Sequence, residues 1–379
     1  MVNPDVVKNV QQSREKQLNI WARARLFDRG EKMGNEFRLY PASDDASFRR
    51  YFRGQAASGS YIFVDAPPEK EDNPTFVQIA RLLGDNGLNA PRVYDVDFSA
   101  GYMMLSDLGD ELYLDALQTG DKERTAGLYS AALTTLTKFS KVETSGLPVY
   151  SESVLRQEMD LFPDWFLAKQ MGVSLQPDER RHLESVFQLM VTNALEQPLV
   201  FVHRDFHCRN LMITEENSPG IIDFQDAIKG PVTYDLVSLL KDCYWRFPRH
   251  EVVTRVKGYW QMLEPDVNFE HFMRWFDLMG LQRHIKCAGI FSRLHLRDFK
   301  SNYLHDIPLV MEYILEVCRE YDEVSAFGQW LQARILPDLA VRLNTARPLT
   351  ERRSKTTIST QPISEGPGSE GPGSEGDNP

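Results

Sequence analysis

Hydrophobic positions recur along this chain with two different periods, and the change from one to the other divides it. From about Val6 to Leu26, apolar Ile20, Trp21 and Ala24, with Phe27 just beyond, stand beside a charged face, which is the spacing of an amphipathic helix. Short runs rich in aromatic and β-branched residues then predict strands at 37–40, 48–52, 61–64, 92–96 and 102–105, with one helical run at 75–83. From about Asp115 to Leu343 the 3.6-residue period takes over, as in Leu183, Val186, Phe187, Met190, Val191 and Ala194. Three short apolar runs interrupt it, at 199–202, 211–213 and 220–222, and read as small strands around a loop. After Arg347 the composition shifts to Ser, Thr, Gly, Pro and Glu with a repeated Ser-Glu-Gly-Pro-Gly, too poor in apolar residues to offset the entropy of ordering. The pattern therefore divides the chain into a small lobe at 1–107, a mainly helical large lobe at 108–346 and a disordered tail at 347–379.

Composition adds bounds. At 379 residues with 42% hydrophobic and 26% charged content, the chain is an ordinary globular protein large enough for two lobes. A net charge of -11 argues against nucleic acid or anionic lipid as a partner. The longest apolar stretch, near 307–317, is broken by Glu312 and falls short of the ~18 residues a membrane span needs. The N-terminus shows no basic segment followed by an apolar one, so a cytoplasmic location is expected. The four cysteines, Cys208, Cys243, Cys287 and Cys318, have no paired spacing and read as reduced thiols.

The loop between the short strands carries the chemistry. His203-Arg204-Asp205 is followed by Asn210 and, after a hairpin, by Asp223-Phe224. Phosphoryl transfer uses this spacing: one aspartate to hold the attacking hydroxyl, an asparagine five positions on for Mg²⁺, and a second aspartate to join Mg²⁺ to the phosphates. Asp205 takes the catalytic place, and Asn210 and Asp223 the metal places. The alternative is a loop of turn-forming Asp and Asn that only satisfies backbone groups. His203 reads as a hydrogen-bonded core residue. His207 and Cys208 have no accompanying set of zinc ligands.

A five-stranded small lobe with one main helix, joined to a larger helical lobe that bears this loop, is the α+β bilobal protein-kinase-like fold. ATP then belongs in the cleft between lobes, against backbone groups of Met104, Leu105 and Ser106, with Met103 or Met104 as apolar cover. Neither G-x-G-x-x-G nor G-x-x-x-x-G-K-[ST] occurs. The turn at 42–52 offers Ser43 and Ser47 hydroxyls and the Arg49 charge in their place. Period-two alternation sends Arg49, Tyr51 and Arg53 to one face and Arg50 to the other. The third strand lacks the lysine, and the following helix the glutamate, that pair over the phosphates in many kinases.

With these residues in view, the chain resembles the aminoglycoside phosphotransferase-like small-molecule kinases. Within them it is similar to the bacterial anomeric kinases of N-acetylmuramate and N-acetylglucosamine. The likeness rests on Ser43 to Phe52, Asp65 to Pro68, Glu158 to Trp165, His203 to Met212, Asp223 to Ala227 and Gly280 to Ile285. It implies MgATP-dependent phosphorylation of a C1 hydroxyl in peptidoglycan sugar recycling, with the α-1-phosphate handed to a sugar-1-phosphate nucleotidyltransferase. Asp235 would brace the catalytic loop. Glu158, Asp160, Trp165, Gln282, Arg283 and His284 become the acceptor candidates, Arg283 for a lactyl carboxylate, with plain helix packing as the alternative for each. An aminoglycoside kinase and a non-catalytic nucleotide-binding scaffold remain open. A protein kinase is disfavoured, because Gly230-Pro231 follows Asp223 too closely for a long activation segment.

Overall fold

The computed structural model describes the backbone of residues 4–34, 37–43 and 48–343, all within one compact unit, Met1–Thr345. Ser47, the side chain of Ser43 and the 347–379 tail lie outside the described residues.

The small lobe is an antiparallel sheet of β1 (Leu39–Ser43), β2 (Arg50–Ala56), β3 (Gly59–Asp65), β4 (Val93–Asp97) and β5 (Tyr102–Ser106), in the order β1-β2-β3-β5-β4. Strand alternation sorts its side chains onto two faces. Phe52, Phe63, Tyr102 and Met104 pack with Leu18, Ala22 and Leu26 of helix α1 (Pro4–Asp28). Val64, Met103 and Leu105 pack on the other face with Phe76, Val77 and Ala80 of helix α2 (Asn73–Asp85).

Asp72 starts α2 by accepting the Thr75 N–H at 3.1 Å, and Pro74 lies in its first turn, where a missing N–H costs nothing. In α1 the buried stripe is Leu18, Ala22 and Leu26, four residues apart. Ile20 and Phe27, read from sequence as part of the packing face, are 69% and 75% exposed. The helix is pinned by Arg14, whose Nε and Nη2 donate to Asp65 at 2.8 and 2.5 Å. Arg50 meets the other Asp65 oxygen at 2.5 Å.

The large lobe contains α3 (Tyr113–Thr119), α4 (Lys122–Phe139), α5 (Glu152–Met159), a π-helical segment (Phe162–Gln170), α6 (Pro177–Leu195), α7 (Tyr234–Leu240), α8 (Arg249–Leu263) and α9 (Phe269–Asp298). It closes with a 3-10 turn (Ser301–Asp306), α10 (Ile307–Glu320), α11 (Asp322–Arg334) and α12 (Leu336–Arg342). α9 is its axis, buried on nearly all sides from Phe272 to Ser292. The chain leading into the π-helical segment meets α9 at Gly289, where a Cβ would lie 2.5 Å from the Leu161 carbonyl carbon. This close approach brings the end of α5 against the middle of α9. Among the described residues, no helix is long and apolar enough to cross a membrane.

Two small ladders frame the functional loop. β6 (Leu199–Val202) pairs with β9 (Ile228–Pro231), and β7 (Leu211–Met212) with β8 (Gly220–Ile221). β9 was not visible as a strand in the sequence, because Lys229, Gly230 and Pro231 carry no strand signal of their own. Pairing with β6 creates it.

Candidate active site

Residues 203–210 join β6 to β7 and are sewn to α7 and the turn after it. The Asp235 carboxylate accepts the backbone N–H of both His203 (2.6 Å) and Arg204 (3.0 Å), and the Ser238 hydroxyl donates to the Arg204 carbonyl at 3.2 Å. Asp242 accepts the Cys208 N–H at 3.0 Å and, through its other oxygen, the Tyr244 N–H at 2.9 Å. Burial pushes the Asp235 carboxyl up to about 7 against the pull of its two N–H donors. The His203 ring is fully buried and bonds the Ile222 carbonyl at 3.0 Å, so it ties the loop to β8 as core scaffold. These bonds hold Arg204 at φ 78°, a left-handed backbone that a non-glycine residue adopts at a cost.

Asp205, Asn210 and Asp223 converge. The Asn210 amide donates to the Asp205 carbonyl at 3.0 Å and to the Asp223 carboxylate at 3.3 Å, and Gln225 donates to the other Asp223 oxygen at 2.8 Å. Asp223 itself has φ 62°, which turns its carboxylate toward Asn210. Phe224 packs on Phe76 of α2 at 4.9 Å between centroids. The pair fits a divalent cation of the Mg²⁺ kind, which needs only one or two protein oxygens when phosphates supply others. Among the described residues there is no cluster of three or more His, Cys, Asp or Glu that could hold a metal ion.

The Asp205 side chain is 48% exposed, and Arg283 Nη2 lies 3.7 Å behind it. Crowding by protein atoms pushes its carboxyl up, but Arg283, His207 and Lys286 outweigh this and hold it at about 2.

Beneath the loop, Glu158 receives Arg204, Tyr150 and, at 3.0 Å, Lys286. Lys286 also reaches the Tyr234 hydroxyl at 2.9 Å, and Gln282 reaches that of Tyr150 at 3.1 Å. Burial alone would push the Glu158 carboxyl up; the Lys286 and Arg204 charges bring it below its ordinary value.

The acceptor candidates therefore separate. Arg283 stands at Asp205. Glu158 and Gln282 lie under the loop, engaged by protein groups. His284 is wholly buried, bonded to the Lys241 carbonyl at 2.9 Å and stacked on Tyr313, because one residue along a helix rotates a side chain about 100° away from Arg283. Asp160, at the end of α5, has its carboxyl pushed up by partial burial and then by the nearby Asp164 and Glu184 charges. Trp165 carries the Lys169 ammonium 3.4 Å over its ring. Neither Asp160 nor Trp165 is brought to Asp205 by any described contact. Sequence reasoning missed Arg204, Lys286, Tyr150 and Asp242. The available signal was Lys286, a cation three residues from Arg283 and so on the same side of the helix.

On the nucleotide side, Met103 and Leu105 face the α2 side of the sheet, whereas Met104 points into the α1 layer, so apolar cover falls to Met103. Ser106 accepts the Arg92 N–H through its hydroxyl at 2.8 Å. Arg49 is buried, paired with Glu71 at 3.1 Å and placed over the Phe76 ring that touches Phe224. Arg53 binds Asp107 and Asp110 where β5 leads into the large lobe, both at 2.5 Å.

Comparison with known proteins settles the class. Residues 38–275 match the model of the phosphotransferase enzyme family. The chain belongs to this family. The N-acetylmuramate/N-acetylglucosamine kinase of Pseudomonas aeruginosa is 45% identical over 301 residues, covering 77% of this chain and 87% of that protein. The protein of the same name from Pseudomonas putida is 39% identical over 326 residues, covering 83% and 95%. In fold, the chain resembles a choline kinase of Streptococcus pneumoniae (TM-score 0.53, 12% identity, 79% and 99% covered). It also resembles an ethanolamine kinase of Plasmodium vivax (TM-score 0.55, 14% identity, 75% and 82% covered). This phosphotransferase thus has the bilobal kinase-like fold.

Proposed function

We propose that this phosphotransferase moves the γ-phosphoryl group of MgATP to the C1 hydroxyl of N-acetylmuramate or N-acetylglucosamine, giving the α-1-phosphate. The carrying observation is the long, high-identity match to kinases named for these two sugars. The cationic surroundings of Asp205 agree with it: Arg283 and Lys286 crowd that carboxylate, a poor setting for a polycationic aminoglycoside. The product is an activated sugar suited to a nucleotidyl transfer, and the setting is peptidoglycan recycling in the cytoplasm, where ATP is available.

Asp205 accepts the hydrogen bond of the C1 hydroxyl and orients its oxygen toward phosphorus. As the new O–P bond forms, the bond to the ADP oxygen breaks and the hydroxyl proton passes to Asp205. A carboxyl held at about 2 is a weak base, so its contribution is chiefly orientation, suited to a loose transition state and an acidic anomeric hydroxyl. Mg²⁺ held by Asn210 and Asp223 would neutralise charge on the transferring group. Arg49 takes the part of the missing strand lysine, with Glu71 as its partner. β5 lies inside the sheet between β3 and β4, and the Ser106 N–H is spent on the Arg92 carbonyl at 2.9 Å. The backbone of Met104 to Ser106, read from sequence as the purine contact, is therefore taken up by the sheet, and the purine belongs to the chain just beyond β5. Ser43 and Ser47 stay candidates for the phosphates.

Incubation with MgATP and a panel of N-acetylmuramate, N-acetylglucosamine, glucose and an aminoglycoside, followed by ³¹P NMR, tests this. A sugar-1-phosphate resonance from an amino sugar is expected. Phosphorylation of the aminoglycoside alone would replace the substrate, and ATP left intact throughout would remove the catalytic reading.

A further inference from the structure

Arg209 and Asn210 are adjacent on the catalytic loop, yet their side chains make their contacts on different flanks. Asn210 turns to Asp223, the metal side. Arg209 lays its guanidinium over the Tyr244 ring, 4.4 Å from the centroid, within electrostatic reach of Tyr303 and Asp306. His207 lies within electrostatic reach of both Asp205 and Arg209 and stands edge-on to the Tyr244 ring that Arg209 covers, so Arg209 borders the flank on which an acceptor meets Asp205.

Tyr244 is a fixed platform. Its N–H is held by Asp242, which also holds the Cys208 N–H of the loop, and the His207 ring stands edge-on to it at 5.2 Å. His207 is 8% exposed and its Nδ1 has no hydrogen-bond partner. Arg283 is 4% exposed and its Nε has none. Two buried side chains beside Asp205 thus keep polar nitrogens unspent, although buried polar groups are ordinarily satisfied. In a chain of net charge -11, Arg283 and Lys286 both act on the one Asp205 carboxylate, and Arg209 acts on His207 beside it.

Arg283 is poorly placed to meet a second anion: it is buried, turned to Asp205, and its Nη1 contacts the Cys287 sulfur at 3.8 Å. Arg209 is exposed and pre-oriented by an aromatic face, the arrangement that favours planar, bidentate capture of a carboxylate. Asp306 is its nearby counter-charge.

We propose that Arg209, held over Tyr244 beside His207, is the specificity-determining residue that pairs the lactyl carboxylate of an N-acetylmuramate-type acceptor while Asp205 takes the C1 hydroxyl. This rests on the proposed function and assigns the acid-recognising subsite to Arg209, where sequence reasoning placed it at Arg283.

The test uses the full chain, wild type, Arg209→Met and Arg209→Lys, with N-acetylmuramate, its methyl ester and N-acetylglucosamine as acceptors. In wild type the acid is preferred over its ester. In Arg209→Met the kcat/KM ratio of acid to ester, and of muramate to glucosamine, falls by about 10- to 100-fold, the worth of a charge-assisted hydrogen bond. Arg209→Lys retains part of that preference. Equal losses on all three acceptors, which a phosphate-binding or structural role would give, overturn the assignment, as do unchanged ratios. A wild type that does not distinguish acid from ester overturns it without any variant. A wild type that phosphorylates none of the three removes the proposed function itself, and is recognised before any variant is made.

Discussion

Arg49 and Glu71 form a buried ion pair of 3.1 Å at the entry to β2, and the same Glu71 carboxylate takes the Phe48 N–H at 3.0 Å. The pair sits against Phe76, which touches Phe224 next to Asp223, so it stands on the phosphate side of the cleft in a chain whose β3 has no lysine. Arg49→Ala is expected to raise KM for ATP by about 10- to 100-fold, with Arg49→Lys in between. Initial rates against ATP at saturating sugar check this. An unchanged KM would move the clamp elsewhere, with Arg53 the next residue to test.

Asp205→Asn keeps the shape of the loop but removes the carboxylate that orients the acceptor. Turnover should fall by about 10²- to 10⁴-fold, with KM for ATP little altered. Loss of ATP binding together with turnover would point to a structural role.

Arg283 is the foremost charge holding the Asp205 carboxyl down at about 2, so wild-type activity should show no acid limb from Asp205 between pH 8 and 5. Removing that cation leaves only the smaller pull of His207 and Lys286 against the crowding by protein atoms, which favours the protonated acid. In Arg283→Gln the carboxyl rises, and activity is lost at a higher pH than in wild type. Rate profiles of the two proteins with the same acceptor decide it. Superimposable acid limbs would exclude the coupling.

Glu158 neutralises Arg204 and Lys286 below the loop, and Glu158→Gln leaves two cations without their carboxylate. Breaking a buried pair this way costs roughly 3–5 kcal/mol. The melting temperature and kcat should drop together, since the strained Arg204 backbone loses its side-chain anchor. A drop in stability with full activity per folded molecule would confine Glu158 to packing.

His284 is buried and bonded to the Lys241 carbonyl, and burial lowers its pKa to about 3. The unfolded chain binds a proton near pH 6.5 that the folded chain refuses, so folding is penalised as pH falls. Between pH 7 and 4.5 the penalty reaches roughly 3 kcal/mol. His284→Gln, which keeps a donor for Lys241, should be the less stable protein at pH 7 and close the gap on acidification. Urea midpoints across that range measure it, and a constant gap would mean that His284 is not buried as a neutral ring.

The amino-acid sequence by itself determined the small-lobe strands and the residues of the loop. Alternation and helical period are local properties, and Asp205, Asn210 and Asp223 are close enough in the chain for one hairpin to bring them together. It also carried the absence of the usual lysine, read directly from β3. Side-chain partnership across the large lobe was decided by tertiary structure alone. Glu158 read as an acceptor residue because a glutamate near an aromatic looks the same whether it faces a sugar or a buried arginine. Only the seating of α5 on α9 at Gly289 gives it to Arg204 and Lys286. Arg283 and His284 are neighbours in sequence, but α9 is buried on nearly all sides and offers no polar face from which its rotation could be read. Its packing against the catalytic loop on one side and Tyr313 on the other sends Arg283 to the chemistry and His284 into the core.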